Sequence, residues 1–541
     1  MKFGDTPIDE AAGAILAHSI RTGNVSFKKG RPLSENDVAS LRDAGIKSVI
    51  AARLEADDVS EDTAAARIAK AVTGVNLEIS AAFTGRVNLY AETAGLVEYD
   101  PLQLDQINMV DESATVALLP PLAPVEPRQM VGTVKIIPFA TPELVVASCE
   151  MLAQGGAVHE GLVQIASYHF HTVSLVQTSL PGTKETVLDK TTQVLRTRVE
   201  ALGGQLKTER RCAHETAAIQ AEIEFLLAEG CEMVLIAGAS AITDRRDVIP
   251  AAIVASGGTV DHFGMPVDPG NLLLLGHTGS VPILGLPGCA RSPKLNGVDW
   301  ILQRLFADIA ITGQDVMAMG AGGLLKEIPA RPLPRAEAIT TAVPSAPKIA
   351  AIILAAGQSR RMGAKNKLLS EIDDKPMVTH VAEIVTRSQA TPVVAVLGHE
   401  ADKVRCALSG FGLSFAENSN FADGLSTSLI AGLDALPKDV DGAIICLGDM
   451  PRVNTRVIDR LIAAFDPLEG RAICVPTSDG KHGNPILLAR RFFGEMREIT
   501  GDQGARHLID GYHELTCEVE MTEDGVLIDV DTPQMLEALK A

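Results

Sequence analysis

The sequence predicts an α/β protein built from several units and closing with a doubly wound domain. Short apolar runs recur between helix-length segments, the pattern of strands buried on both faces. Proline-rich stretches interrupt that pattern at two places. The apolar content is aliphatic, 46% of 541 residues against 4% aromatic, which suits Ala-, Val-, Ile- and Leu-packed sheets. At roughly 150 residues per domain the length implies about three or four domains.

Residues 1–169 read as a smaller mixed region. A helix is expected from Ile8 to His18, and another from Leu33 to Ala44, where Ser34 precedes Asp37 by three residues in a capping-box spacing. The stretch LPPLAPVEP at 119–127 suits neither a helix interior nor a central strand. Val173–Gln177, Met233–Ala237 and Pro282–Leu286 read as strands, with helices over Lys184–Leu202 and His214–Glu229 between them. They make an α/β unit over about 170–327. Five prolines, at 329, 332, 334, 344 and 347, mark 328–348 as a moderately stiff linker, with a long surface loop as the alternative. In 349–541 the runs Ile349–Leu354, Pro392–Leu397, Gly442–Leu447 and Arg471–Pro476 read as parallel strands. Met377–Arg387 supplies a helix between them.

Lys and Arg number 48 and Asp and Glu 68, a net charge of −20. That surface repels polyanions, so neither nucleic acid nor an anionic membrane is an expected partner. Eight cysteines with no CxxC pair make no disulfide framework, and most are expected to be small buried hydrophobes. No basic-then-apolar leader and no membrane-length apolar run is evident, so a cytoplasmic protein is expected.

The chemistry concentrates after the strand at 349. Leu354-Ala355-Ala356-Gly357 leads into Arg360, Arg361, Lys365 and Lys367, four cations within eight residues. Small residues let backbone N–H groups approach phosphate oxygens, and the cations suit a triphosphate. The spacing is neither Walker A nor GxGxxG. Asp449 ends an apolar strand and Asp531 follows a second apolar run. Carboxylates there suit Mg²⁺, while a turn or helix cap is the plain alternative.

LAAGxSxRMGxxNKLL closely resembles the signature of small nucleotidyltransferases, and more narrowly of the molybdenum-cofactor nucleotidyltransferases. NSNFADGLSTS (418–428), LGDMP (447–451), GKHGNP (480–485), GDQGAR (501–506) and DVDTP (529–533) follow in the same order. The resemblance implies a Rossmann-like nucleotidyltransferase domain. It also implies nucleotide binding by Leu354, Ala355, Ala356, Gly357, Arg361, Gly363, Lys367, Gly424, Ser426 and Ser428. Arg361, Lys367 and Asp449 would carry catalysis, with Mg²⁺ on Asp449 and Asp531. The acceptor would lie near His482, Gly483 and Asn484. A phosphate acceptor is already ionised, so His482 is not needed as a base. Asp502 and Arg506 form either a loop-orienting pair or a solvated helix pair.

Upstream, GASAITDRRD (238–247), GMPVDPGN (264–271) and GLPGCA (285–290) resemble molybdopterin-binding domains, and residues 1–118 loosely resemble molybdate-insertion proteins. This implies acceptor contacts at Gly238, Ser240 and Asp247. The family's double Gly and Thr are replaced by Gly238-Ala239-Ser240, and the second segment lacks its Lys, which puts insertion chemistry in doubt. Cys289 reads as a small buried residue, and His169 and His171 as structural or surface residues. The whole implies a fused enzyme that transfers CMP from CTP to molybdopterin, with Ala356 and Asn366 favouring CTP. GTP-dependent guanylyl transfer, a non-catalytic cofactor carrier or chaperone for molybdenum hydroxylases, and a sugar- or polyol-phosphate nucleotidyltransferase stay open.

Overall fold

In the computed structural model, residues 1–22, 25–155, 161–325, 345–358, 366–499, 501, 504–521 and 524–540 are described. Strand pairing separates small antiparallel sheets at the N-terminus from two large sheets.

β1 (Lys2–Pro7) and the short β2 (Ile15–Leu16) both pair antiparallel with β3 (Ser48–Arg53). The helix expected over Ile8–His18 does not form: one 3-10 turn, Ile8–Glu10, is followed by Gly13 at φ 77°, a left-handed residue that stops a helix. Ala11, Ala14 and Leu16 still reach the core, which is why the apolar spacing mimicked a helix. The second expected helix is present as α1 (Glu35–Asp43), with both bonds of the capping box made between Ser34 and Asp37. Residues 58–167 build three further antiparallel sheets, of four, three and two strands, around α2 (Glu61–Val72), α3 (Pro101–Asn108) and α4 (Glu143–Gln154).

The next sheet runs β4 (Thr172–Ser179), β5 (Gln205–Ala213), β6 (Met233–Ala237), β7 (Thr259–Phe263), β8 (Leu274–Thr278) and β9 (Val281–Leu286), in spatial order β5-β4-β6-β9-β8-β7. The first four in that order are parallel, and β8 and β7 continue antiparallel. The two expected helices appear as α5 (Glu185–Ala201) and α6 (Thr216–Ala228). The linker prolines lie outside the described residues except Pro347. The linker's end is tied back to the N-terminal half, with the Ala346 N–H donating to Arg128 O at 2.9 Å and the Arg128 guanidinium to Ala346 O at 2.8 Å.

The last sheet runs β10 (Ile349–Ala355), β11 (Val393–Leu397), β12 (Ser414–Glu417), β13 (Gly442–Leu447), β14 (Ile473–Ser478), β15 (Lys481–His482), β16 (Ile486–Ala489) and β17 (Thr516–Glu520). Its order is β12-β11-β10-β13-β16-β14-β15, with β17 on β14. All four expected strands are present, but the sheet is mixed rather than wholly parallel: β16 runs antiparallel to both β13 and β14. The loop at 479–485 turns the chain back after β14, so β16 returns without a crossover helix. Every residue of β10 is buried. It is central, so its carboxyl end opens onto the middle of the sheet edge, where α/β ligands bind.

Three cysteines, Cys149, Cys446 and Cys474, are buried, but Cys289 and Cys406 are exposed, against expectation. Cys289 sits on a 3-10 turn that turns Ala290 inward instead. His169 and His171 both face Asp308, at 3.7 and 3.3 Å, in a surface cluster at the start of β4.

Candidate active site

A cavity of about 560 Å³ opens at the carboxyl ends of β10 and β13. Leu354, Ala356 and Gly357 form one part of its wall, and Gly424, Leu425 and Ser428 another. Lys367, Asp449 and Asp531 close its end. Ala355 alternates inward along the strand and is buried, so it supports the turn without facing the cavity.

The first part is held by the backbone. The Gly448 N–H donates to Leu354 O at 3.1 Å, and the His399 N–H donates to Ala356 O at 3.2 Å. Gly398 is pressed so closely that a Cβ there would lie 2.7 Å from Ala356 Cβ. The other part of the wall begins at Gly424, whose φ of 117° strongly favours glycine and starts α7 (Leu425–Asp434). That helix aims its amino end at the cavity, where anionic groups are favoured. Ser428 lines the cavity and is fixed by the Asn418 side-chain amide at 3.0 Å. Ser426 does not line it: it is buried under the helix start, with its N–H on Gly501 O.

The Lys367 ammonium touches Asp449 and donates to Asp531 Oδ1 at 2.7 Å. Burial alone would lower its pKa, yet the two carboxylates hold it above the ordinary lysine value, so it is charged. Asn366, buried, accepts from the Leu368 N–H at 3.1 Å and so shapes the turn that presents Lys367. It does not line the cavity. The two carboxylates meet at one cationic point, and among the described residues no three His, Cys, Asp or Glu side chains are grouped so as to hold a metal ion by themselves. Two hard oxygen ligands with the rest supplied by phosphate and water is the donor set Mg²⁺ accepts.

Asp531 reaches Asp449 through a wedged segment. The Val530 N–H donates to Asp449 O at 3.0 Å. A Cβ on Gly525 would lie 2.3 Å from Arg452 O, and one on Gly483 2.4 Å from Val526 O. Gly483 therefore packs the Asp531 segment, and Asn484 adds an N–H to Val526 O at 2.9 Å. His482 lies beyond, on Glu518 Oε1 at 2.9 Å, and is not on the cavity wall. Arg361, Gly363 and Asp502 lie outside the described residues, as do Arg360 and Lys365; Arg506 begins a short helix, Arg506–Gly511. Sequence reasoning passed over Phe421, Ala422, Asp423 and Gly501, which also line the cavity. All four lie inside segments quoted above, three beside Gly424 and the serines and Gly501 beside Asp502, but their residue types alone carry no signal for phosphate or nucleoside binding.

Gly238, Ser240 and Asp247 belong to the other large sheet, after β6. Gly238 O accepts from the Arg291 guanidinium at 2.7 Å, and the Ala239 N–H donates to Thr178 Oγ1 at 2.7 Å. A narrow cleft separates this turn from Pro287 and Gly288. Ser240 is exposed. Asp247 spends both oxygens on its own turn, accepting from Val248 and Thr243 N–H groups, and acts as a helix cap. These residues share no cavity with Lys367.

The model of the MobA-like NTP transferase domain matches residues 351–516. A molybdenum cofactor guanylyltransferase from Vibrio parahaemolyticus is 31% identical over 189 residues, which cover 34% of this chain and 91% of that protein. The chain belongs to the MobA-like NTP transferase family. It does so through its last third, and the MobA-like domain is a nucleotidyltransferase domain. A bifunctional protein GlmU from Koribacter versatilis is 39% identical over 121 residues, where the chain spans a quarter of that protein's length. The solved structure of a nucleotidyl transferase from Methanothermobacter is 20% identical, covers 36% of this chain and 96% of its own, and has a TM-score of 0.32. Residues 5–53, ahead of the MobA-like domain, match a domain of unknown function, DUF8806. Among the described residues no helix is long and apolar enough to cross a membrane.

Proposed function

We propose that the MobA-like domain transfers a nucleotidyl group from an NTP to the terminal phosphate of molybdopterin or the molybdenum cofactor, releasing pyrophosphate. The observation that carries this reading is the charged Lys367 set between Asp449 and Asp531, at the end of a cavity walled by a glycine turn and a helix amino end. The acceptor phosphate oxygen attacks the α-phosphorus, and the bond to the β-phosphate oxygen breaks. Lys367 stabilises charge on the phosphates, backbone N–H groups around Gly357 orient them, and Ser428 and Gly424 seat the nucleoside. Mg²⁺ on Asp449 and Asp531 would neutralise the triphosphate. Arg361 would add a second cation from the basic turn.

CTP is the proposed donor, on Ala356 in the cavity wall and the LAAG pattern. Asn366, the other sequence argument for CTP, serves the Lys367 turn instead. GTP is the second reading. The Vibrio relatives are named guanylyltransferases, and the Asp423 carboxylate at the cavity matches the adjacent N1–H and N2–H donors of guanine. The upstream α/β unit would capture or hand over the cofactor at Gly238 and Ser240, and fusion would raise its effective concentration at the transferase. A molybdenum hydroxylase would be the client.

Purified protein with molybdopterin, MgCl₂ and CTP, GTP or ATP tests the reading. Pyrophosphate release fastest with CTP is expected. Faster release with GTP transfers the reading to the guanylyl form. No release with any NTP, and no heat of CTP–Mg²⁺ binding by calorimetry, leaves a carrier.

A further inference from the structure

The segment matching the domain of unknown function is seated on the transferase loop that supports Asp531. Lys28 Nζ lies 3.4 Å from Glu518 Oε2, and the other Glu518 oxygen holds His482 Nε2 at 2.9 Å. Burial alone would raise the Glu518 pKa, but His482 and Lys28 together hold it below the ordinary carboxylate range. Beside it the Arg31 guanidinium lies 3.5 Å from where a Gly480 Cβ would stand, and it is locked there by two bonds to Asp37, at 3.0 and 3.2 Å. Asp37 is also the partner of Ser34 in the capping box of α1. From His482 the contacts run on through Gly483 and Asn484 to Val526, and from Val530 to Asp449.

We propose that Lys28 and Arg31 form a clamp on the 479–484 loop, with Lys28 as a positioning residue that acts through Glu518 and His482 to set the acceptor side of the site. This rests on the nucleotidyltransferase reading for what the loop serves, not for the clamp itself. Neither Lys28 nor its partner Glu518 lines the cavity, so loss of the pair should leave nucleotide binding alone.

The full chain carrying Lys28→Glu sets like charges facing at Glu518, and Lys28→Arg keeps the pair. With Lys28→Glu the KM for molybdopterin should rise about three- to fivefold, the scale of one partly exposed ion pair, while the KM for the NTP stays unchanged. Lys28→Arg should restore the wild-type KM. Amide hydrogen exchange over 479–484 and 524–531 should quicken in Lys28→Glu and not in Lys28→Arg. Unchanged exchange in Lys28→Glu overturns the clamp. Quickened exchange with an unmoved acceptor KM overturns the positioning role. Equal rises in both KM values overturn it too. A wild-type protein inert toward molybdopterin but with quickened exchange in the variant would defeat the transferase reading and leave the clamp standing.

Discussion

Lys367 and Asp531, 164 residues apart in the chain, meet at 2.7 Å. The same ammonium touches Asp449, so three side chains from three segments converge on one point. Lys367→Ala should cut pyrophosphate release by about 10²-fold or more, because the site loses a preorganised cation. It should also leave two carboxylates facing each other. Thermal unfolding should then fall in metal-free buffer and recover more with added MgCl₂ than the wild type does.

Asp449→Asn and Asp531→Asn each remove one hard ligand and leave the shape intact. Each should lower the rate by about 10²- to 10³-fold and blunt the Mg²⁺-dependent rise in melting temperature. Asp449→Ala should abolish turnover while the far-ultraviolet circular dichroism stays that of folded protein. Full activity in any of these would remove the metal-ligand role.

Gly525 and Gly483 tighten the segment that delivers Asp531. Gly525→Ala puts a methyl 2.3 Å from Arg452 O, a backbone atom that cannot swing away. A stability loss of about 1 to 3 kcal/mol is expected, with turnover falling further than stability explains. Denaturant unfolding beside kcat measures both.

Glu61, which does not line the cavity, should make stability depend on pH. Burial raises its pKa to about 7, offset only in part by Lys135. A carboxyl whose folded pKa is raised contributes its stability below the ordinary value of 4.5 and loses it as pH rises to about 7. Glu61→Gln should therefore raise the melting temperature at pH 8 and change it little at pH 4.5. The same gain at both pH values would contradict the assignment.

The strands around the site and the residue types on it can be read directly from the chain. Long apolar runs such as Ile349–Leu354 and Gly442–Leu447 are legible because a strand buried on both faces needs no periodicity. The Ser34–Asp37 cap is legible because its bonds are local. The Ile8–His18 helix failed because Gly13 takes a left-handed conformation that no spacing reveals. Tertiary packing was needed to turn Ser428 to the cavity and bury Ser426, which stand about 200° apart around one helix, so that one faces the cavity and the other the core. It alone placed Asp247 in a cap, seated Lys28 on Glu518, and turned β16 against its neighbours. Local chemistry along a chain specifies elements and caps, whereas convergence of Lys367, Asp449 and Asp531 depends on close approaches at Gly483 and Gly525, where a missing side chain acts only through what packs against it.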